Sequence, residues 1–135
     1  MAYGRFSEAY TIAKTVLDSL HIQYRRITLP SGSLCFCTLP GGQTFDLFVE
    51  TGGTIRLWCF IGTLSADKAG ARLEYRKPEC PGAAVGLAVT EEGDLSLFAE
   101  RTVDPDDSRT SRRIRRMVAC FSAMLQTADF QNTEI

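Results

Sequence analysis

The chain has 135 residues, 44% hydrophobic and 23% charged, with a formal net charge of −1. That size suits a single domain over residues 1–135 with a core of its own, without the staples that very small domains need. A charge near zero argues against the broad basic field of a nucleic-acid or membrane-surface binder, and no stretch approaches the roughly 20 apolar residues that span a bilayer.

The chain opens with an amphipathic helix. Ala9, Ile12, Ala13, Val16, Leu17 and Leu20 fall on one stripe at three-and-four spacing, Ser7 is the expected N-cap, and Glu8 lies near the positive end of the helix dipole. The stretch from Met1 to Leu20 mixes charge with apolar residues, which is not the pattern of a signal peptide. From Gln23 the pattern changes to short apolar runs between turn residues. Gln23–Leu29 is a first candidate strand, ended by Pro30-Ser31-Gly32. Leu34–Leu39, Thr44–Glu50 and Ile55–Thr63 follow, separated by turns at Gly41-Gly42 and Gly52-Gly53. Ser65–Arg76 reads as a middle helix, with Ser65 as cap and Lys77-Pro78 as stop. Ala83–Thr90 and Leu95–Val103 form a second hairpin. Asp104-Pro105-Asp106-Asp107-Ser108 then opens a closing helix whose stripe is Ile114, Met117, Val118, Phe121, Met124, Leu125 and Ala128.

The expected class is α+β. An antiparallel β-meander is flanked by N-terminal, middle and C-terminal helices in the order α-β-β-β-α-β-β-α, with Gln23–Leu29 as a candidate strand ahead of that set.

Strand parity divides this sheet into two unlike faces, because successive side chains point to opposite sides. One face collects Phe45, Leu47, Val49, Ile55, Leu57, Cys59, Ile61, Val85, Leu87, Val89, Leu95, Leu97 and Ala99, which suits packing against helical stripes. The other collects Asp46, Phe48, Glu50, Arg56, Trp58, Phe60, Ser96, Phe98 and Glu100 among the small residues Ala84, Gly86 and Ala88. Phe36 joins the second face if its strand has the matching register. The segment Ile55–Ile61 is therefore apolar on both sides, whereas a sheet with one solvated face alternates. Aromatic anchors within a charged rim have the composition of a recognition surface.

Nothing in the chain announces catalysis. The five cysteines include no CxxC pair; they read as small buried hydrophobes of a reducing cytoplasm, with no metal or redox site. His21 stands alone at the end of the first helix, where the dipole favours it, and no third group orients it as a catalytic base. The glycine pairs form neither GxGxxG nor a P-loop, so no cofactor is indicated. Asp104, Asp106 and Asp107 lack the spacing of a calcium loop and read as helix-capping residues. Arg109, Arg112, Arg113 and Arg116 share a helical face and, without interleaved aromatics, read as a solvated face answering those aspartates rather than as a nucleic-acid site.

The order of elements, with Phe45-Asp46-Leu47-Phe48-Val49-Glu50, Ile55-Arg56-Leu57-Trp58-Cys59-Phe60, Glu92-Gly93-Asp94-Leu95-Ser96-Leu97-Phe98-Ala99-Glu100 and the closing helix, resembles the YbjN-like proteins and type III secretion chaperones. Leu73-Glu74-Tyr75-Arg76 departs from it, lacking the Leu-Asn pair common in YbjN-like relatives. The resemblance implies a small bacterial α+β binding module, often dimeric and not an enzyme, built to hold a protein partner.

The expected function is thus protein binding, chaperone-like or regulatory, with Phe48, Arg56, Trp58, Phe60 and Phe98 meeting a protein partner or a second copy of the chain. The alternative is a small-molecule-binding domain or enzyme with a pocket between sheet and helices, suggested by the supply of cysteine and small residues on the sheet.

Overall fold

Helix α1 (Ala2–Ser19) leads into strands β1 (Gln23–Leu29), β2 (Gly32–Thr38), β3 (Thr44–Glu50) and β4 (Thr54–Thr63). Then come β5 (Arg72–Glu74), β6 (Val85–Val89), β7 (Asp94–Thr102) and the closing helix α2 (Thr110–Thr127). The computed structural model describes residues 2–63, 72–74, 85–89, 94–104 and 106–127. The strands form one antiparallel sheet in the order β1-β2-β3-β4-β7-β6-β5. Its body is the five longer strands from β1 to β7, and the short β6 and β5 extend it on one side. β1 to β4 run as a meander, and the return through β5 and β6 brings β7 back beside β4.

The class is α+β, as the alternation implies, but the expected middle helix is corrected over Arg72–Glu74. Those residues are a strand, paired with β6 through Arg72↔Ala88, Leu73↔Leu87 and Glu74↔Gly86. The rest of the expected Ser65–Arg76 helix lies outside the described residues. The physical reason is a weak local signal overridden by a non-local pairing. The segment's apolar stripe is short, so packing offers a helix little support, whereas the edge of β6 offers unpaired N–H and C=O groups.

Both helices pack on one side of the sheet. Ala9, Ala13, Val16 and Leu17 of α1 and Ile114, Met117, Val118, Phe121 and Met124 of α2 are buried against Phe45, Leu47, Val49, Ile55, Leu57, Leu95, Leu97 and Ala99. Cys59 and Ile61 pack at the margin of this core. Val85, Leu87 and Val89 stand in register with Ala99, Leu97 and Leu95, which keeps β6 in the same parity. The aliphatic face read from the sequence is therefore the helix side. Fully burying one such side chain stabilises by about 1.5–3 kcal/mol.

The turns follow their glycines. Gly42 and Gly53 have φ of +92° and +96°, and each N–H closes its turn onto the carbonyl three residues back, Leu39 at 2.9 Å and Glu50 at 2.8 Å. Ser7 is not the N-cap of α1, because the helix already runs from Ala2. No proline interrupts that stretch, and extending an existing helix is far easier than starting one. At its other end α1 stops in a Schellman arrangement. The His21 N–H donates to Asp18 O and the Ile22 N–H to Leu17 O, with His21 itself at φ +57°.

Candidate functional site

The side of the sheet opposite the helices is built from cross-strand rows. The central row runs Arg25–Phe36–Asp46–Trp58–Phe98–Gly86–Glu74, one residue from each strand. Next to it runs Ile27–Leu34–Phe48–Arg56–Glu100, and on the other flank Phe60 pairs with Ser96. The register meets the condition set for Phe36, which joins this face. All five residues expected to meet a partner, Phe48, Arg56, Trp58, Phe60 and Phe98, are brought together on it.

Burial grades across the face. Phe48, Trp58 and Phe98 are half-buried by their neighbours, whereas Phe60 is 61% exposed. Ile27, Leu29 and Phe36 are exposed as well. Among the described residues both helices lie on the far side of the sheet from these side chains.

Its charges are fixed within it. Arg56 pairs with Glu50 and, at 3.2 Å, with Glu100. Arg25 lies over the Phe36 ring at 5.6 Å. The Trp58 indole donates to the Asp46 carboxylate, which is nevertheless pushed above the usual carboxylate range because burial disfavours its charged form. An aromatic centre with bridged charges at its margin offers area at the middle and orientation at the rim.

The remaining sequence candidates take structural places. Cys35 and Cys37 are buried and free, Cys120 is buried and Cys59 half-buried, and burial pushes the Cys35, Cys37 and Cys59 thiols up, away from the reactive thiolate. Cys80 lies outside the described residues. Asp107 Oδ1 accepts the Arg109 N–H at 2.9 Å, which, with Arg113 and Arg109 beside it, holds the carboxyl below its usual range. Arg113 pairs with Asp107 at 3.0 Å, so part of the arginine face does answer the aspartates. His21 serves as the helix stop.

Two features were not read from the sequence. Arg26 turns to the helix side, over the Tyr10 ring at 3.6 Å and within 2.8 Å of the buried Ser33 hydroxyl. Its partners lie on different elements, so only the register shows the cluster. The same corner carries Tyr24, whose hydroxyl is pushed up to about 12 by burial, Asp18 and Tyr10.

Recesses occur on the helix layer: one of about 410 Å³ beside Glu8, Ile12, Asp104 and Asp107, and one of about 250 Å³ between α2, the end of α1 and the β2–β3 turn. No helix among the described residues is long and apolar enough to cross a membrane. The chain matches no protein-family model and no curated protein.

Proposed function

We propose that this chain is a non-enzymatic protein-binding module of the bacterial cytoplasm, chaperone-like or regulatory, that works through the open face of its sheet. The observation that carries the reading is the row Phe36–Asp46–Trp58–Phe98, flanked by Phe48 and Phe60, on the side away from both helices. Each aromatic taken out of water contributes on the order of 1.5–3 kcal/mol, so covering several at once is a substantial drive to associate. Arg56, Glu50 and Glu100 set which partners and orientations are tolerated. The resemblance to YbjN-like proteins and secretion chaperones supports the same reading, since those are small binding modules, often dimeric. The partner is a second copy of the chain or another protein.

Light scattering after size exclusion, together with affinity capture from a bacterial lysate, tests this on wild type and Phe60→Asp. Phe60 is exposed, so the charge does not enter the core. The expected result is a dimer that the variant dissociates, or a captured protein that the variant loses and that changes Trp58 fluorescence in wild type. A wild-type monomer at millimolar concentration whose captured set equals the variant's would falsify the proposal.

A further inference from the structure

The sheet ends differently on its two sides. β5 closes one side with three residues, whereas β1 on the other has seven, pairs with β2 without a register shift and contains no proline. Native sheets usually guard an open edge with a short strand, a bulge, a proline or an outward charge. All of β1 except Tyr24 is exposed, and among the described residues no backbone group bonds to its outer side.

Its two charges do not guard it either. The Arg25 guanidinium lies over the Phe36 ring, and that of Arg26 lies over Tyr10 and donates to Ser33, so both heads are drawn back over β2 and α1. Left at the edge are Ile27 and Leu29. With Phe36 on β2 they make three of the four large apolar side chains exposed among the described residues.

Strand geometry decides which backbone groups are open. Leu29 and Gly32 close the two-residue turn Pro30-Ser31, and Ser31 O accepts the Thr51 N–H on the β3 side. Alternation then points the N–H and C=O of Gln23, Arg25, Ile27 and Leu29 toward β2, and those of Tyr24, Arg26 and Thr28 outward.

The side chains decide what can pair there. A two-fold axis normal to the sheet lays β1 antiparallel to β1 of a second copy, and like faces stay together only when one residue sits opposite itself. Centring on Arg25 or Arg26 sets arginine against arginine, which is destabilising. Centring on Thr28 sets Arg26 against Pro30, which has no N–H. Centring on Ile27 sets Ile27 against itself, Arg25 against Leu29 and Arg26 against Thr28. No like charges are then opposed, and the outward groups of Arg26 and Thr28 meet those of the second copy's Thr28 and Arg26.

We propose that β1 is a dimerisation edge, on which a second copy of this chain pairs antiparallel about Ile27 and makes the two sheets one. The row Ile27–Leu34–Phe48–Arg56–Glu100 then runs through the axis into its own copy. The contact uses the strand edge and does not rest on the protein-binding reading of the aromatic face.

Light scattering and cysteine cross-linking of the full chain test this. Wild type is expected to be a dimer. Ile27→Lys and Ile27→Glu are each expected to weaken it at least tenfold, because like charges then face each other, and an equimolar mixture of the two is expected to restore it. Restoration requires folded chains, so the test does not turn on a misfolded variant. Ile27 lies opposite itself in a pair whose Cα atoms are about 4.5 Å apart, within reach of a disulfide. Ile27→Cys is therefore expected to give a covalent dimer on mild oxidation. Leu29→Cys, equally exposed but about 13 Å from its own copy along the strands, and wild type with its native cysteines are not. Adding Phe60→Asp is expected to leave the Ile27→Cys product unchanged, which keeps this contact distinguishable from association through the aromatic face. Equal cross-linking at 27 and 29 would overturn the proposal, as would a dimer that both Ile27 charge variants keep. A wild type monomeric at millimolar concentration would also overturn it, and β1 amide shifts on adding an acidic extended peptide would then give the edge to a different chain.

Discussion

The Trp58 indole donates its hydrogen bond to the carboxylate of Asp46, the residue directly opposite it on the β3–β4 ladder. The pair sits at the centre of the aromatic face, with Phe36 on one side and Phe98 on the other. The carboxylate sits in an environment that resists its charge.

A pH dependence follows from that conflict. Burial raises the folded-state pKa of Asp46 above its usual range, and the Trp58 hydrogen bond offsets only part of the rise. The folded chain then holds this proton more tightly than the unfolded chain. The contribution to stability is fully present below the unfolded value of about 4 and is lost as pH rises through the folded one. Asp46→Asn removes the loss and keeps an acceptor for the indole. Thermal melts from pH 3.5 to pH 7 are expected to show the variant gaining on wild type as pH rises. A wild type that gains on the variant toward pH 7 would contradict the assignment.

Gly32 is held by its neighbour's backbone rather than by solvent. A Cβ there would lie 2.1 Å from Val49 O, and φ is +155°. At Gly42, φ is +92° but nothing lies within 4 Å of a Cβ. The two glycines therefore separate steric from conformational cost. Gly42→Ala is expected to cost about 1 kcal/mol for the left-handed backbone alone, and Gly32→Ala about 2–3 kcal/mol as β2 is forced off β3. Urea midpoints rank them; equal losses would mean that β2 shifts freely.

How much of this was legible in the sequence depended on the range of the interaction. The core face of β3, β4 and β7 was readable because a period of two, sustained through Phe45–Val49, Ile55–Leu57 and Leu95–Ala99, has one burial solution once two helical stripes need a floor. The aromatic face followed from the same parity, including Phe36, whose place waited only on register. Arg72–Glu74 was misread because its fate is set by the edge of β6, a non-local pairing with little local trace. Ser7 was misread because a good cap residue is no evidence that a helix starts there.

Core and aromatic face are expected to respond differently to the same truncation. Phe45 of β3 and Phe121 of α2 meet at a ring-centroid distance of 5.3 Å, tilted by 59°, and both are buried. Phe121→Ala is expected to cost about 3–5 kcal/mol, much of a typical domain's stability. Phe60→Ala, on the open face, is expected to stay within about 0.5 kcal/mol of wild type in urea unfolding of the isolated chain. The same variant is expected to weaken association. A large stability loss at Phe60 would assign that side chain to the fold and not to a partner.

His21 occupies the position that ends α1, where glycine is the usual residue. Its N–H and that of Ile22 cap Asp18 and Leu17 at 3.2 and 3.0 Å, and this requires the left-handed backbone found at φ +57°. A residue with a Cβ pays roughly 1–2 kcal/mol for that conformation, and glycine does not. The following Ile22 is buried with Leu17, so packing as well as hydrogen bonding holds the turn in place. His21→Gly relieves the strain but loosens the unfolded chain, which returns part of the gain. The net expectation is a stabilisation of about 0.5–1 kcal/mol, or roughly 2–4 °C in melting temperature for a domain of this size. His21→Val is expected to shift the other way, because a β-branched side chain tolerates this backbone least. If glycine at this position lowered the melting temperature, the imidazole would be contributing a contact that outweighs its backbone strain.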